Sequence, residues 1–337
     1  MKKYLLSTLF LLVCLLSNGQ DNVDSLVAIG IQYHENGAYD LAIEKYEEAL
    51  EVSPKSPLAN YEIALTYMYS QQYEKALEHC DVVLEQKEEY ILETYITKGS
   101  CLDYLGDTKA SVKLFKKAVK KFGDHYLLYY NLGYDYYKMR EDEKAEEALI
   151  SAINLSPGHA SSHLLLGFLK ADQQKKTQSL LCLHYFLFLE PDSDRSVAAY
   201  DLLMEQFGGN VTSDDKEITI YIDESDKNSP FSAADLMISM LEASKNLEEN
   251  EGKTDEEMFI ENTASFFTVL GELKKDKNKG LWWDFYTPLF YAISQSDYMD
   301  AYCYYISMGG NQNAGGWVQD NQDKMKAFIK WLEDPAE

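Results

Sequence analysis

The sequence predicts an all-α fold in which helical hairpins stack into a superhelical solenoid. Small residues recur with a period of about 34 residues, and a second set of small residues follows twelve positions later. The first set is Gly30, Gly99, Gly133 and Gly167, and the second is Ala42, Ser111, Ala145 and Ser179. Prolines close three of the units, at Pro54, Pro157 and Pro191. Small residues allow two helices to approach closely, and proline ends a helix, so each period predicts one helical hairpin.

The period divides residues 23–193 into five units. Their bounds are Val23–Ser56, Pro57–Ile91, Leu92–His125, Tyr126–His159 and Ala160–Ser193. The second unit is one residue longer and has Ala64 in place of the glycine. A capping helix is expected over Ser196–Phe207, where Gly208-Gly209 supplies a stop signal. We therefore place the repeats and their cap within residues 21–208.

This pattern resembles the tetratricopeptide repeat, and the resemblance covers roughly half of the chain. It implies hairpins that stack into a right-handed superhelix and bury their apolar faces against one another. It also implies a role in holding other proteins. In this family the first helix of every hairpin lines a concave surface, chiefly through its second, fifth, ninth, twelfth and thirteenth positions.

Those positions predict a concave groove rich in tyrosine. The candidate binding residues are Tyr61, Leu65, Met68, Tyr69, Ile96, Tyr104, Tyr130, Tyr134 and Tyr137. Tyrosine offers a large contact area and a hydroxyl that can still pair, so the groove suits an extended peptide or an amphipathic helix. The alternative is that these tyrosines pack between adjacent first helices or against the C-terminal region. Val27 and Ile31 replace the polar residues with which some family members grip a C-terminal carboxylate.

The first twenty residues are typical of an export signal. Lys2 and Lys3 form a charged start, residues 5–16 form an apolar core, and Ser17-Asn18-Gly19 supplies small residues before a cleavage site near Gln20. The apolar run is too short for a membrane anchor. We therefore expect an exported bacterial protein that is periplasmic or secreted and not cytoplasmic.

The composition restricts the class of partner. The chain has 31 basic and 56 acidic residues, a formal net charge of −25. Such a surface repels nucleic acid and anionic headgroups, so a neutral or basic protein or peptide is the expected partner. The alternative is that the acidity only keeps an exported protein soluble. The 46% hydrophobic content is ample for folded cores.

Cysteine and histidine spacing gives no metal or cofactor motif, and none is expected. Cys80, Cys101, Cys182 and Cys303 follow the leader and lack CxxC spacing. Cys80 and Cys101 fall on helices that should pack together, so they either form a disulfide or are small buried packing residues.

The C-terminal third predicts a linker over residues 209–229 and a helical module over residues 230–337. Alternating isoleucines favour one strand over Glu217–Asp223, and no second strand is evident. Such a strand would dock on an edge in another molecule, pair with a strand that the pattern does not reveal, or lie extended across helices, and we favour the last arrangement. Thr254 and Glu257 form a capping-box pattern. Asp297–Met308 resembles the second helix of a degenerate hairpin of the same family. The paired glycines at 309–310 and 315–316 indicate a helix stop and a loop.

These observations favour a non-enzymatic scaffold that binds a peptide or helix in its groove. One alternative is glycan binding through exposed aromatics, with Trp282 and Trp283 as the candidate residues. A second is an enzyme whose site lies in the C-terminal module.

Overall fold

The computed structural model describes residues 22–86, 89–208, 211–213, 218–220, 229–245 and 250–333. The expected leader and residue 217 with residues 221–223 of the expected strand lie outside these ranges. The chain forms two compact units that divide between Ala148 and Leu149. The fifth repeat therefore belongs to the same unit as the C-terminal helices. The all-α expectation is confirmed.

Hairpins one to four follow the repeat bounds predicted from the sequence. Their helices are α1 (22–35), α2 (Tyr39–Val52), α3 (Pro57–Tyr69), α4 (Tyr73–Gln86), α5 (Ile91–Tyr104), α6 (Thr108–Phe122), α7 (Tyr126–Lys138) and α8 (Asp142–Leu155). Helix α3 packs on both α2 and α4, and α5 packs on α3, α4, α6 and α7. Hairpins one to three thus bury apolar residues against the next hairpin of the first unit, as repeat architectures require.

The turn inside each hairpin contains one residue in the left-handed region. These residues are Gly37, Gln71, Gly106, Arg140 and Gln174, with φ values of 73°, 60°, 87°, 57° and 58°. Successive members are separated by 34 residues, or by 35 across the longer second repeat, so the backbone has the period of the sequence. Three of the five turns hold this strained conformation without glycine.

Three of the four periodic glycines, Gly30, Gly99 and Gly167, lie where the two helices of a hairpin cross. A Cβ atom on Gly30 would lie 2.4 Å from the Tyr46 ring, and one on Gly99 would lie 2.2 Å from the Phe115 ring. In hairpin five a Cβ on Gly167 would lie 3.2 Å from Leu183. The opposing residue is sixteen positions later in each case, so these crossings are equivalent. The second set of small residues, Ala42, Ser111, Ala145 and Ser179, is fully buried.

The second unit contains hairpin five and the C-terminal helices. Its elements after α8 are α9 (Ala160–Asp172), α10 (Lys176–Leu189), α11 (Asp194–Gly208), β1 (Val211–Ser213), β2 (Ile218–Ile220), α12 (Ser232–Ser244), α13 (Asp255–Leu273), a π-helical turn (Leu281–Tyr286), α14 (Thr287–Ser294), α15 (Met299–Ile306), α16 (Gln312–Asp320) and α17 (Gln322–Glu333). The predicted capping helix is α11. The capping box at the start of α13 is present, because the Glu257 amide donates to Thr254 Oγ1 at 3.2 Å and the Thr254 amide donates to Glu257 Oε2 at 2.9 Å.

Helix α10 is the central helix of this unit. It contacts α9, α11, α12, α15 and the π-helical turn, and nine of its fourteen residues are buried. A helix that is apolar all round needs cover on every side. The α10 start is capped from α12, since the Thr177 amide and hydroxyl donate to Asp235 Oδ1 at 2.8 and 2.7 Å.

Two expectations for the C-terminal third are wrong. The predicted strand does not lie alone across helices: β2 pairs antiparallel with β1, with Val211 opposite Ile220. Strand β1 has only three residues, so any alternation of apolar and polar residues is too short to identify it as a strand from the sequence. The second glycine pair, 315–316, lies inside α16 and not in a loop. The first pair does follow a helix end, and the Gly309 amide donates to the Pro191 carbonyl at 2.8 Å while Gly310 lies against Tyr200.

Candidate functional site

The nine candidate residues lie on α3, α5 and α7, three first helices of the first unit. We call this surface the first-helix face. Tyr69 and Tyr104 are the most exposed of the nine, with 55% and 57% of their surface accessible, and Tyr134 is 36% accessible. The others, Tyr61, Leu65, Met68, Ile96, Tyr130 and Tyr137, are half-buried. The face therefore presents large aromatic side chains to the outside.

The exposed tyrosines also join one hairpin to the next. Tyr69, the last residue of α3, stacks on Tyr39 with ring centroids 6.2 Å apart. Tyr104, the last residue of α5, stacks on Tyr73 at 5.0 Å. In both pairs the partner is the first residue of the preceding hairpin's second helix. One side of each ring thus packs inside the protein, while more than half of the side chain stays accessible.

Tyr61 has a comparable arrangement one turn into α3. Its ring stacks on Tyr90, the residue before α5, at 5.4 Å and an interplanar angle of 8°. Burial, with a smaller contribution from the Glu62 carboxylate, raises the pKa of Tyr61 to about 12. The Tyr61 hydroxyl therefore keeps its proton at neutral pH and can donate a hydrogen bond.

At the junction of hairpins three and four, a charged network takes the place of the tyrosine stack. Lys138 at the end of α7 donates to both carboxylate oxygens of Asp103 at 2.7 Å, and the Thr108 hydroxyl donates to Asp103 Oδ1 at 2.7 Å. Asp103 is only 4% exposed. The Lys138 ammonium also lies 5.7 Å from the centre of the Tyr134 ring. Lys138 is thus a basic residue of the first-helix face whose charge is already balanced.

A second carboxyl lies buried beside this network. Asp135 on α7 is 2% exposed. Burial raises the pKa of Asp135 to about 7, and the Asp103 carboxylate adds to the increase. The junction of hairpins three and four therefore contains a group that titrates near neutral pH.

The unbalanced charge of the first-helix face is negative. Glu62 on α3 is half-buried, and burial, then repulsion from Glu35, raises the pKa of its carboxyl. Among the described residues no lysine or arginine forms an ion pair with Glu62. Glu93 on α5 is exposed. A partner that approaches this end of the face meets carboxylates and tyrosine rings together.

Several of these contacts could not be predicted from the family positions. Tyr39, Tyr73 and Tyr90 lie outside the first-helix positions, although they hold Tyr69, Tyr104 and Tyr61. The repetition of tyrosine at the start of α2 and α4 is the signal that could have identified two of them. The pairing of Asp103 with Lys138 has no sequence signal, because the residues are 35 positions apart.

The tryptophans proposed for glycan capture lie in and beside the π-helical turn of the second unit. Trp283 is 4% exposed and stacks on Phe231 at 4.8 Å. Trp282 is half-buried, and its ring packs on Tyr286 at 5.7 Å. Trp283 is therefore enclosed by the protein's own core and offers no ring face to a sugar, whereas Trp282 keeps part of its surface accessible.

A small cavity lies between α11, α13 and α15. Its lining comprises Tyr200, Glu256, Phe259, Ile260, Cys303, Tyr304, Ser307 and Asn311. Glu256 accepts hydrogen bonds from Asn311 and Asn313 at 3.2 and 2.9 Å, and these bonds lower the pKa of its carboxyl. This lining has one acid and no histidine, lysine or arginine, so it does not hold an acid in contact with a base.

The buried histidines of the second unit serve packing contacts. The His163 ring donates from Nε2 to the Pro157 carbonyl at 2.8 Å, which leaves Nδ1 to accept the Tyr286 hydroxyl at 2.6 Å. Burial lowers the pKa of His163 to about 4. Cys80, Cys101, Cys182 and Cys303 are buried free thiols. Within the described ranges no cluster of three metal-ligating side chains occurs, and no helix there is both long and apolar enough to span a membrane.

Comparison with protein families identifies the repeats of the first unit. Residues 30–71 match the model of a family described as TPR repeat, and residues 92–120 and 126–159 match one described as tetratricopeptide repeat. These segments fall on hairpins one to four. The chain contains tetratricopeptide repeats. The crossings at Gly30 and Gly99 are therefore the helix crossings of this repeat.

The curated proteins that this chain resembles are matched over only a small part of their length. Intraflagellar transport protein 70A of Bos taurus is 35% identical over 69 residues, which are 20% of this chain and 10% of that protein. A BBSome complex member of Bos taurus is 27% identical over 131 residues, or 39% of this chain and 25% of that protein. The chain thus spans about a tenth to a quarter of the length of these relatives. A tetratricopeptide repeat protein of Thermus thermophilus is 22% identical, with a TM-score of 0.49, and covers 54% of this chain and 99% of its own.

Tetratricopeptide repeats support a protein–protein interaction scaffold, and proteins of this kind are generally not enzymes. The nine candidate residues of the first-helix face lie on the first helices of three hairpins in the first unit.

Proposed function

We propose that the first-helix face binds a neutral or basic protein segment, extended or helical, and that the protein works as a scaffold in the bacterial envelope. The observation that supports this role most directly is that the rings of Tyr69 and Tyr104 are both stacked on a neighbour and exposed. Each ring is fixed on one side by stacking and leaves more than half of its surface accessible. A fixed aromatic ring loses little conformational entropy when a partner binds, so it contributes its contact area efficiently.

The electrostatics support the choice of partner. Lys138 is paired with Asp103, whereas Glu62 has no cationic partner in the described ranges and Glu93 is exposed. A basic side chain would relieve the cost of the half-buried Glu62 carboxylate and could lie over a tyrosine ring. An acidic segment would meet like charges there.

A peptide library displayed on phage provides the test. Random segments of about twelve residues, long enough to cross three hairpins when extended, would be selected on the wild-type protein. Their dissociation constants would then be measured by fluorescence anisotropy on the Tyr69→Ala/Tyr104→Ala variant. We expect selected peptides to be neutral or basic and to lose about tenfold or more in affinity on that variant.

The matched control is Tyr129→Ala, which removes a tyrosine of α7 that lies outside the nine candidate residues. Circular dichroism verifies that all variants are folded. Peptides that bind the double variant as tightly as the wild type, or lose affinity only on Tyr129→Ala, would contradict the proposed site.

The envelope location has a separate test. Residues 1–21 would be fused to an alkaline phosphatase that is active only after export, with Leu9→Arg/Leu12→Arg in the apolar core as the matched control. We expect activity from the first fusion and none from the second. If both fusions were inactive, the envelope location would be wrong, and the proposed binding face would be unaffected.

A further inference from the structure

Helix α6 carries a concentration of positive charge in an otherwise acidic protein. Six of its fifteen residues are lysine and none is acidic, whereas the chain as a whole has a net charge of −25. The six are Lys109, Lys113, Lys116, Lys117, Lys120 and Lys121, and all of them are exposed. Buried residues of the same helix, among them Phe115 and Ala118, face the core. We call the exposed side of α6 the lysine face.

The lysine face lacks balancing carboxylates. Four lysines elsewhere in the first unit pair with acids, among them Lys98 with Asp81 and Lys138 with Asp103. Among the described residues no ion pair involves any of the six lysines of α6. Lysines spaced three and four residues apart on one helix repel one another, so the face carries an electrostatic cost within this protein.

Some of these lysines have a packing role and others have none. The ammonium of Lys116 lies 5.5 Å from the Tyr136 ring centre, and that of Lys121 lies 4.9 Å from the ring centre of Phe122. Lys117 is similarly placed over Tyr95. Lys109, Lys113 and Lys120 make no such ring contact in the described structure. Packing therefore does not account for these three charges.

The corresponding helix of hairpin one has the opposite charge at the same positions. Counted from the first residue of each helix, the α2 acids Asp40, Glu44, Glu47 and Glu51 occupy the places of Lys109, Lys113, Lys116 and Lys120. The repeat fold requires small and apolar residues on the buried side of both helices and leaves the exposed side free. The lysines of α6 are therefore not a requirement of the fold.

We propose that the lysine face binds an acidic segment of a partner protein, with carboxylates spaced four, three and four residues apart along one helix. Helix α6 is about 22 Å long, because fifteen residues rise 1.5 Å each. A single acidic helix matches this length and width. Helices α2 and α4 carry exposed carboxylates, such as Glu44 and Glu78. A broad anionic surface such as a membrane or a nucleic acid would meet these acids as well, whereas a narrow segment would not.

The test uses a fluorescein-labelled, alanine-based helical peptide of about sixteen residues that bears four glutamates at this spacing. Its binding to the full protein is measured by fluorescence anisotropy, with the glutamine version of the peptide as the uncharged probe. We expect the glutamate peptide alone to bind. We also expect its affinity to fall about tenfold between about 50 and about 300 mM NaCl, because exposed charges are screened.

Two triple variants locate the site. Lys109→Gln/Lys113→Gln/Lys120→Gln removes the lysines without ring contacts, and Lys275→Gln/Lys277→Gln/Lys279→Gln removes the same charge from an exposed segment of the second unit. The proposal expects about a tenfold or greater loss of affinity in the first variant and none in the second. Equal losses would show that net charge alone is responsible and would overturn it.

Two other occupants are tested with the same variants. Vesicles containing phosphatidylglycerol are assayed by co-sedimentation, and self-association is measured by analytical ultracentrifugation. The proposal would be overturned if the protein failed to bind the peptide but bound vesicles through Lys109, Lys113 and Lys120. Salt-sensitive self-association that depends on the same lysines, again without peptide binding, would also overturn it. Failure of this test would leave the first-helix face unaffected, because that face contains none of these lysines.

Discussion

Hairpins two and five have the same helical repeat architecture but different surroundings. In hairpin two, the second helix α4 buries Ala76, Cys80 and Val83 and exposes charged residues on its other side. In hairpin five, the second helix α10 buries nine of fourteen residues, and C-terminal helices of its own unit cover it. One repeat architecture can therefore provide an exposed helix surface in one hairpin and the centre of a hydrophobic core in another. The role depends on whether the second helix of the hairpin carries charged residues on the side away from its first helix, as α4 does, or apolar residues on all sides, as α10 does.

The greatest loss of stability is expected when a buried side chain in the core of the second unit is truncated. Phe267 is fully buried and stacks on Phe290 at 4.5 Å. Phe267→Ala should reduce the free energy of unfolding by about 3–5 kcal/mol, because it leaves a cavity. Urea denaturation measures the change. Tyr104→Ala, which removes a ring that is 57% exposed, is the comparison in the first unit and should cost clearly less; equal losses would contradict the contrast between the two regions.

The helix crossing of hairpin three should be the next most sensitive place. Gly99→Ala places a Cβ 2.2 Å from the Phe115 ring, so we expect a loss of about 1–3 kcal/mol in the free energy of unfolding. Adding Phe115→Leu, which makes room for the methyl group, should recover part of that loss. A double-mutant cycle measures the coupling, and strict additivity would show that the two residues do not oppose each other.

The buried Asp135 gives the first unit a pH dependence. Its carboxyl has a pKa of about 7 in the folded protein and an ordinary value of 3.8, so the folded state holds the proton more tightly. Its contribution to stability is complete below about pH 4 and is lost as pH rises through about 7. Asp135→Asn should therefore raise the free energy of unfolding by on the order of 2 kcal/mol relative to wild type at pH 8, and should change it little at pH 4.

Thermal unfolding at both pH values measures this difference. Glu143→Gln removes an exposed acid of the neighbouring α8 and is the control. A gain for Asp135→Asn that is the same at pH 4 and pH 8 would rule out titration of Asp135 as its cause.

The smallest expected effect concerns the turns that all five hairpins share. Gln71 has φ 60° where hairpins one and three have glycine. Gln71→Gly should stabilise the protein by about 0.5–1 kcal/mol, because it relieves left-handed strain at some entropic cost. Gly37→Ala is the reverse change and should destabilise it by a similar amount. Denaturation midpoints that moved in the same direction for both variants would contradict this explanation.

Much of the first unit was predictable because its signals are local and repeated. The glycine period predicted the crossings at Gly30 and Gly99. In the second unit, the capping pattern predicted the start of α13. The choice of Tyr69 and Tyr104 as candidate residues came from the positions that the family resemblance implies. The pairing of β2 with β1 and the helical state of the glycines at 315–316 were missed, because three residues of strand and two glycines carry too little local preference to compete with tertiary contacts.

The period, the hairpins and the charge of each helix, including the lysines of α6, follow from residue order alone, because these properties repeat or accumulate within a few turns. Tertiary packing sets which side chains share their surroundings. It paired Lys138 with Asp103, buried Asp135 beside them, stacked Trp283 on Phe231 and enclosed α10. These contacts join residues that are distant along the chain, and their energies depend on burial and distance, which residue spacing does not specify.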